Sequence, residues 1–442
     1  MSEGRVSTAA PPLGMGPRLN LSGMMFIQFA IWGSWFVVFT TYLGKLGFTG
    51  TEQGLLFGNM ALGAIISPMI VGVIADRWFA SERVMALLHF AGAGLLFWMA
   101  QIQDPKLFPL YFAVSLAYAL VYNPTLALAN SITFHHVPDA TRDFPGIRVL
   151  GTIGWIVANL FVGKALNQLT NQPLLLAAGL SGLLGVWSLF LPHTPPTGKP
   201  GDALPFAKAL ALFKDFNFAV FFIVSGIITI VLAFYYSFTG PFLAGTANLD
   251  QIPSWLSGYF VTTDAESGKP ILDVASTMVI GQYCEIGFLV LLPLFLWRLG
   301  MKWVLALGML AWGVRYALFS LGDPFAVLLL GVALHGVCFD FFFAAGFIHV
   351  DNEAPKDIRA SGQALFALLT YGVGMWLGSM LSGVLKDYFT RDGVVDWRTY
   401  WLIPSVGVLV SLLVFVVFFH VRRKPPPSAE QILRDEAYAK EA

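Results

Sequence analysis

Twelve long apolar runs dominate the chain, and few folds can absorb them. They cover residues 22–44, 54–75, 84–101, 107–132, 148–170, 173–191, 216–240, 272–297, 303–321, 324–349, 361–385 and 399–421. A helix crosses a bilayer core with roughly 20 mostly apolar residues. Lipid offers no partner to backbone N–H and C=O groups, so runs of this kind are expected as membrane-spanning helices. The run 173–191 follows its predecessor almost directly, which predicts an antiparallel hairpin. Only 12% of the 442 residues are charged and 57% are hydrophobic, whereas a soluble domain carries about 25% charged residues. That balance argues against a water-soluble enzyme, a nucleic-acid binder or a disordered regulator. Lys+Arg and Asp+Glu both number 26, leaving no basic field for nucleic acid. The segment Met1 to Leu19 lacks the apolar core of a signal peptide, so the first run is expected to be retained as a span. Cys284 and Cys338 both lie in apolar runs and read as packing residues, not as a disulfide framework.

Lysine and arginine orient the spans. With the N-terminus taken as cytoplasmic, that side holds 17 of the 26 and the far side 6, with Arg148, Lys164 and Arg315 inside runs. Such a bias puts both termini inside. The longest connection on that side, 193–215, follows Pro192 with the Pro-rich His193-Thr194-Pro195-Pro196. It divides the chain into a cytoplasmic segment 1–21, a six-helix half 22–192, the linker 193–215, a second six-helix half 216–421 and a cytoplasmic tail 422–442. The halves share a weak pattern. His136-Val137-Pro138-Asp139 follows the fourth run and Arg148 opens the fifth; His349-Val350-Asp351-Asn352 follows the tenth and Arg359 precedes the eleventh. The expected fold class is an all-α membrane protein of twelve spanning helices. Two halves with a site between them at mid-depth resemble the major facilitator transporters. Gly72-Val73-Ile74-Ala75-Asp76-Arg77 is similar to that superfamily's cytoplasmic Gly-x-x-x-Asp-Arg loop, which implies a gating latch at Asp76 and Arg77. Glu82-Arg83 stands where the pattern's later basic positions would fall, and the same residues also read as a plain topogenic cluster.

An ionisable side chain in hydrocarbon costs roughly 3 kcal/mol or more, so each one needs a reason. Glu285 lies in the eighth run with Gln282 three residues before it, on one helix face. An amide beside a carboxylate suits a ligand that both donates and accepts hydrogen bonds. Asp340 lies in Cys338-Phe339-Asp340-Phe341-Phe342-Phe343, where desolvation favours the protonated acid and fits a group that takes up and releases a proton. Phe339 and Phe343, four apart, are placed to stack on a planar ring. Arg315 is most simply the buried counter-charge of one of these acids, a reading that leaves a structural ion pair open for both. Arg148 opens the fifth run with Thr152 and Trp155 on its face; the alternative for it is an interfacial snorkelling arginine. Gln28, Trp32 and Trp35 form a stripe in the first run, with Trp32 a candidate ligand contact and packing the alternative. His335 precedes Asp340 by five and is placed either in a proton relay or in ordinary packing. His135, His136, His335 and His349 lack metal-ligand spacing. With no phosphate loop and no Ser/His/Asp or paired-Cys set, no catalytic residue, metal or cofactor is expected.

These residues together resemble the bacterial nucleoside:proton symporters of the major facilitator superfamily. The most specific stretches are Gln28-Phe29-Ala30-Ile31-Trp32-Gly33-Ser34-Trp35, Asp143-Phe144-Pro145-Gly146-Ile147-Arg148 with Thr152, Ala311-Trp312-Gly313-Val314-Arg315-Tyr316, and Cys338-Phe339-Asp340, together with the Gln282/Glu285 pair. The resemblance implies a nucleoside and a proton as partners, a monomer in the cell inner membrane, and polar contacts and coupling at Arg148, Thr152, Gln282, Glu285 and Asp340. One departure is clear. The seventh run reads Leu232-Ala233-Phe234-Tyr235-Tyr236-Ser237, without the amides the family places there, and Tyr235 or Tyr236 is expected to substitute by stacking and a hydroxyl. A carrier for a sugar or another hydroxylated solute, a drug exporter and a ligand-sensing membrane receptor remain as alternatives.

Overall fold

The computed structural model describes residues 13–67, 79–196, 206–355 and 358–420. The Gly72 to Arg77 sequence, with the gating candidates Asp76 and Arg77, lies outside them, as does the tail. Thirteen helices are labelled here in chain order among the described residues: α1 Met15–Trp35, α2 Phe39–Leu46, α3 Gly50–Ser67, α4 Ser81–Gln101, α5 Phe108–His136, α6 Ala140–Ala165, α7 Gln172–Ser188, α8 Phe216–Thr246, α9 Ser254–Phe260, α10 Val274–Leu321, α11 Phe325–Glu353, α12 Arg359–Tyr388 and α13 Trp397–Phe418. Two short hairpins, β1 Val261–Thr263 with β2 Pro270–Leu272 and β3 Thr390–Arg391 with β4 Val394–Val395, sit in connections. Nine of the described helical stretches are long and apolar enough to cross a membrane, and α7 is a shorter apolar helix.

Four of the helices begin where an aspartate supplies a cap. Asp139, Asp215, Asp273 and Asp396 precede α6, α8, α10 and α13, and each accepts a hydrogen bond from a first-turn backbone N–H. The hydroxyl of Thr141 holds the Asp139 carboxyl below its ordinary range, and that of Thr399 does the same for Asp396. The first predicted span is two helices, broken between Trp35 and Phe39. The eighth and ninth predicted spans are the two helical arms of α10, 274–299 and 301–321, which meet at the non-helical Gly300. At 1.5 Å per residue the arms are about 39 and 32 Å long, each enough for one pass of a core about 30 Å thick. The chain turns at Gly300, whose φ of 74° is open to glycine and strained for any other residue. α11 and α12 each contain a π-helical segment, Asp340–Ala344 and Leu368–Gly374.

The buried apolar side chains form two large clusters. One runs from Leu21 to Leu191; the other, apart from Val37, runs from Ala209 to Phe419. Large apolar side chains such as Phe97, Phe190, Val290, Trp297 and Leu413 are exposed on the outer surface, as a lipid-facing belt requires. Within the first cluster α1 and α6 touch backbone to backbone, since a Cβ on Gly154 would collide with the Phe26 carbonyl. That contact sets the Arg148 face of α6 beside Trp32 of α1.

Polar contacts between the clusters gather at the end reached by the connections after α2, α6, α9 and α12. Asp387 of α12 accepts from Gly50 N at 2.6 Å, Thr51 N at 2.7 Å and Thr51 Oγ1 at 2.6 Å, capping α3 from across the boundary. Lys164 lies 2.7 Å from the fully buried carboxylate of Asp273. Gln168 donates to the Leu272 carbonyl at 2.6 Å and accepts from Val274 N at 3.1 Å. Lys386 donates to Gln53 Oε1 at 2.9 Å.

Candidate functional site

Between the two clusters lies a cavity of about 480 Å³, within the range of small-molecule sites. α1 lends Phe29 and Trp32, and Phe36 follows at its C-terminal end; α5 lends Asn123; α6 lends Arg148, Thr152 and Trp155. From the other side come Tyr236 of α8, Gln282 and Glu285 of α10, Phe339 of α11 and Tyr371 of α12. Eight of the twenty lining residues are aromatic. Trp32 meets Phe36 and Trp155 edge to face, with ring centroids 5.2 and 5.4 Å apart, and Phe36 reaches across to Tyr236 at 5.7 Å. Such rings accept a flat apolar face. The indole N–H groups of Trp32 and Trp155 are buried with no hydrogen-bond partner, so each leaves a hydrogen bond unmade.

Charge is divided across the cavity. Arg148, held 4.2 Å over the Phe29 ring, stands on the first cluster's side, while Glu285 stands on the second's, and the two act on each other electrostatically. Behind Glu285, Oε2 lies 3.6 Å from Nε2 of the fully buried His335. This closeness follows from Gly336, where a Cβ would come within 2.5 Å of the Cys284 backbone. Beyond His335 lies Arg315, also fully buried, with Nη1 3.2 Å from His335 Nδ1.

The cavity brings together eight of the residues singled out from the sequence: Trp32, Arg148, Thr152, Trp155, Tyr236, Gln282, Glu285 and Phe339. It does not bring in Phe343 or Asp340. Phe343 is fully buried against Phe339, Phe342 and Tyr371. The π segment that starts at Asp340 is the reason: its wider turn moves residue 343 off the face that a regular i, i+4 spacing would give it. Asp340 is 2% exposed, one layer behind the lining, with Oδ2 unpartnered and within electrostatic reach of Glu285. Arg315 departs from its expected role as direct counter-charge, because it bonds an imidazole and a carbonyl, not a carboxylate. Gln28 and Trp35 belong to the first cluster's interior: Gln28 bonds Thr125 and His89 at 2.8 Å each, and Trp35 packs on Tyr118. Tyr235 turns from the cavity and lies 3.4 Å beneath the Arg315 guanidinium. Phe29, Phe36, Asn123 and Tyr371 were not singled out from the sequence. For Phe29 the spacings of three to Trp32 and seven to Phe36 are a usable signal; for Asn123 and Tyr371 only the tertiary packing shows it.

Residues 15–424 match the family model described as nucleoside H+ symporter. The chain is 39% identical to the putative nucleoside transporter YegT of Escherichia coli (strain K12), over 90% of this chain and 93% of that one. It is 37% identical to the xanthosine permease of Escherichia coli (strain K12), over 93% of this chain and 98% of that one. The crystal structure of the nucleoside transporter NupG superposes with a TM-score of 0.80 at 32% identity, covering 92% of this chain and all of that one (100%).

Proposed function

This chain belongs to the nucleoside H+ symporter family, and from that premise we propose how its residues import nucleosides with protons. The protein is a multi-pass membrane carrier of the major facilitator fold and not an enzyme. The observation that carries the assignment of roles is the division of charge across the cavity, with Arg148 on one packing cluster and Gln282 and Glu285 on the other. A ligand that bridges them draws the clusters together.

The base lies among Trp32, Trp155, Tyr236 and Phe339, with Arg148, Thr152 and the two indole N–H groups donating to its acceptor atoms. The ribose hydroxyls donate to Glu285 and Gln282. Tyr236 takes the place of the amides absent from α8, offering a ring and a hydroxyl. A proton on Glu285 or on Asp340 removes a negative charge that would be costly to enclose. The loaded halves then rock about the cavity and release both ligands inward. Arg148 pairs with the bare Glu285 as the empty carrier returns, and Asp76 with Arg77 latches the cytoplasmic end.

Both termini are cytoplasmic in this reading, the host is the inner membrane, and a monomer suffices because one chain supplies the whole lining. The end that holds Asp387, Lys164 and Gln168 is then the outward one, so the structure represents an outward-closed state. The test is uptake of labelled uridine, adenosine and xanthosine into vesicles containing the purified protein under an imposed inward proton gradient. Gradient-driven accumulation, competed by nucleosides and not by sugars, is expected, with its loss in Asp340→Asn or Glu285→Gln. Accumulation indifferent to the gradient, or competed by sugars alone, overturns the reading. Unchanged accumulation in Asp340→Asn removes Asp340 from the coupling.

A further inference from the structure

Arg315 is a permanent cation with no exposure to solvent, held among α8, α10 and α11. Its Nη2 donates to the Val332 carbonyl at 3.4 Å, its Nε has no partner, and Nη1 lies 3.2 Å from His335 Nδ1. A guanidinium carries only donors. His335 Nδ1 must therefore accept, and the single proton of the neutral ring sits on Nε2. That N–H faces two lining residues, with Tyr236 Oη at 3.4 Å and Glu285 Oε2 at 3.6 Å. Tyr235 stacks on the imidazole at 5.1 Å with an interplanar angle of 20°, which keeps the ring in place. The charged and titratable groups around the ring are thus Arg315, Glu285, Tyr235 and Tyr236.

We infer that His335, oriented by Arg315, is a positioning residue for Glu285: it presents a fixed Nε2–H to the carboxylate and stabilises the empty carrier once the proton has left. The inference rests on the symporter reading above. The proton balance is simple. A proton joins a Glu285 oxygen when the loaded carrier forms and leaves that oxygen to the inside, and His335 keeps its one proton on Nε2 throughout. A second proton on the ring would have to enter at Nδ1, against the Arg315 guanidinium. When Glu285 is ionised, the 3.6 Å separation closes to a hydrogen bond. The imidazole, polarised by Arg315, then passes part of that buried charge to the carboxylate. Arg315 thus acts as counter-charge through an intermediary, and the buried cation and the cavity acid compensate each other.

The experiment compares two readouts on the full-length protein in vesicles: net uridine uptake under a proton gradient, and uridine exchange at equal pH with uridine on both sides. Exchange does not need the empty, deprotonated carrier to return. His335→Phe is expected to lower net uptake by about tenfold or more, the scale of one charge-assisted hydrogen bond, while leaving exchange within about twofold. His335→Gln supplies an oxygen for Arg315 and an N–H for Glu285, and is expected to restore most of the net uptake. Equal loss of both readouts with no rescue by Gln, or unchanged net uptake in the Phe variant, overturns the inference. If the Phe variant does not fold, the ¹⁵N spectrum of His335 in the unaltered protein decides. A neutral Nε2–H ring from pH 5 to 8 supports the inference; an Nδ1–H or doubly protonated ring overturns it. A protein that moves no nucleoside at all fails the parent reading instead, so the two failures are distinguishable.

Discussion

Asp387 gives the sharpest test of how the outward end is held. Its carboxylate takes three hydrogen bonds from Gly50 and Thr51, at 2.6 to 2.7 Å, across the boundary between the packing clusters. The first N–H groups of a helix have no partner inside it. α3 already has a capping set of its own, since Glu52 accepts from Thr49 N at 2.8 Å and Glu52 N donates to the Thr49 hydroxyl at 3.2 Å. What Asp387 adds is therefore cross-boundary hold and not helix formation. Hydrogen bonds to a charged group contribute about 1.5–3 kcal/mol each in net terms. The site is only part-buried, and solvent screens it, so about 2 kcal/mol for the set is the working figure. Opening this end returns Asp387 to water, so Asp387→Ala penalises the closed state alone. A loss of about 2 kcal/mol moves the closed-to-open ratio by about thirtyfold. Spin labels at the exposed Lys106 and Asp392 positions, one on each half, report the separation by double electron–electron resonance. A single short distance is expected for the starting protein, and a second, longer population of comparable weight for Asp387→Ala. An unchanged distance distribution in a folded Asp387→Ala protein would refute the argument that these bonds hold the end shut.

Three further outcomes follow from other parts of the molecule. Trp155→Phe keeps the ring and deletes the unpartnered N–H, so it is expected to weaken nucleoside binding about fivefold (~1 kcal/mol), read as a dissociation constant by calorimetry. Gly154→Leu drives a side chain into the Phe26 backbone and is expected to lower the unfolding temperature sharply or abolish folding, the cost of overpacking being about 1–3 kcal/mol or more where backbone cannot yield. Asp139 and Asp396 are held below the ordinary carboxylate range by threonine hydroxyls, so each cap's contribution is complete above that range and is lost only as pH falls through the depressed value. Thermal stability of Asp139→Ala relative to the starting protein is therefore expected to show a constant deficit from pH 7 to 5, with the gap narrowing only in more acid solution.

Much of the site was legible because lipid leaves polar residues so few reasons to exist. Arg148, Gln282 and Glu285 stand out against apolar runs, and all three line the cavity. Helical periodicity also gave Thr152 and Trp155, because α6 is regular beyond Arg148. The same periodicity misled at Phe343, where the backbone departs from 3.6 residues per turn for reasons no local pattern announces. Gln28 and Trp35 share a stripe with Trp32, yet helix rotation turns only Trp32 to the cavity, and rotation is fixed by distant contacts such as Gly154 on Phe26. The role of Arg315 was hidden for a similar reason. Sequence shows a buried cation and buried acids, but not that a histidine stands between them.

The paired π segments of α11 and α12 carry a mechanical consequence. They adjoin one another, with Phe343 and Phe347 of α11 at 5.9 and 6.2 Å from Tyr371 of α12. Each segment is one residue of slack wound into a coil, and slack of that kind travels along a coil one peptide at a time without unwinding it. As it travels, the stretch it crosses rotates about its own axis while both ends stay anchored. Two neighbouring helices with such slack at the same depth can re-aim the side chains beside the cavity, Asp340 and Tyr371 among them, while the helix ends stay where they were.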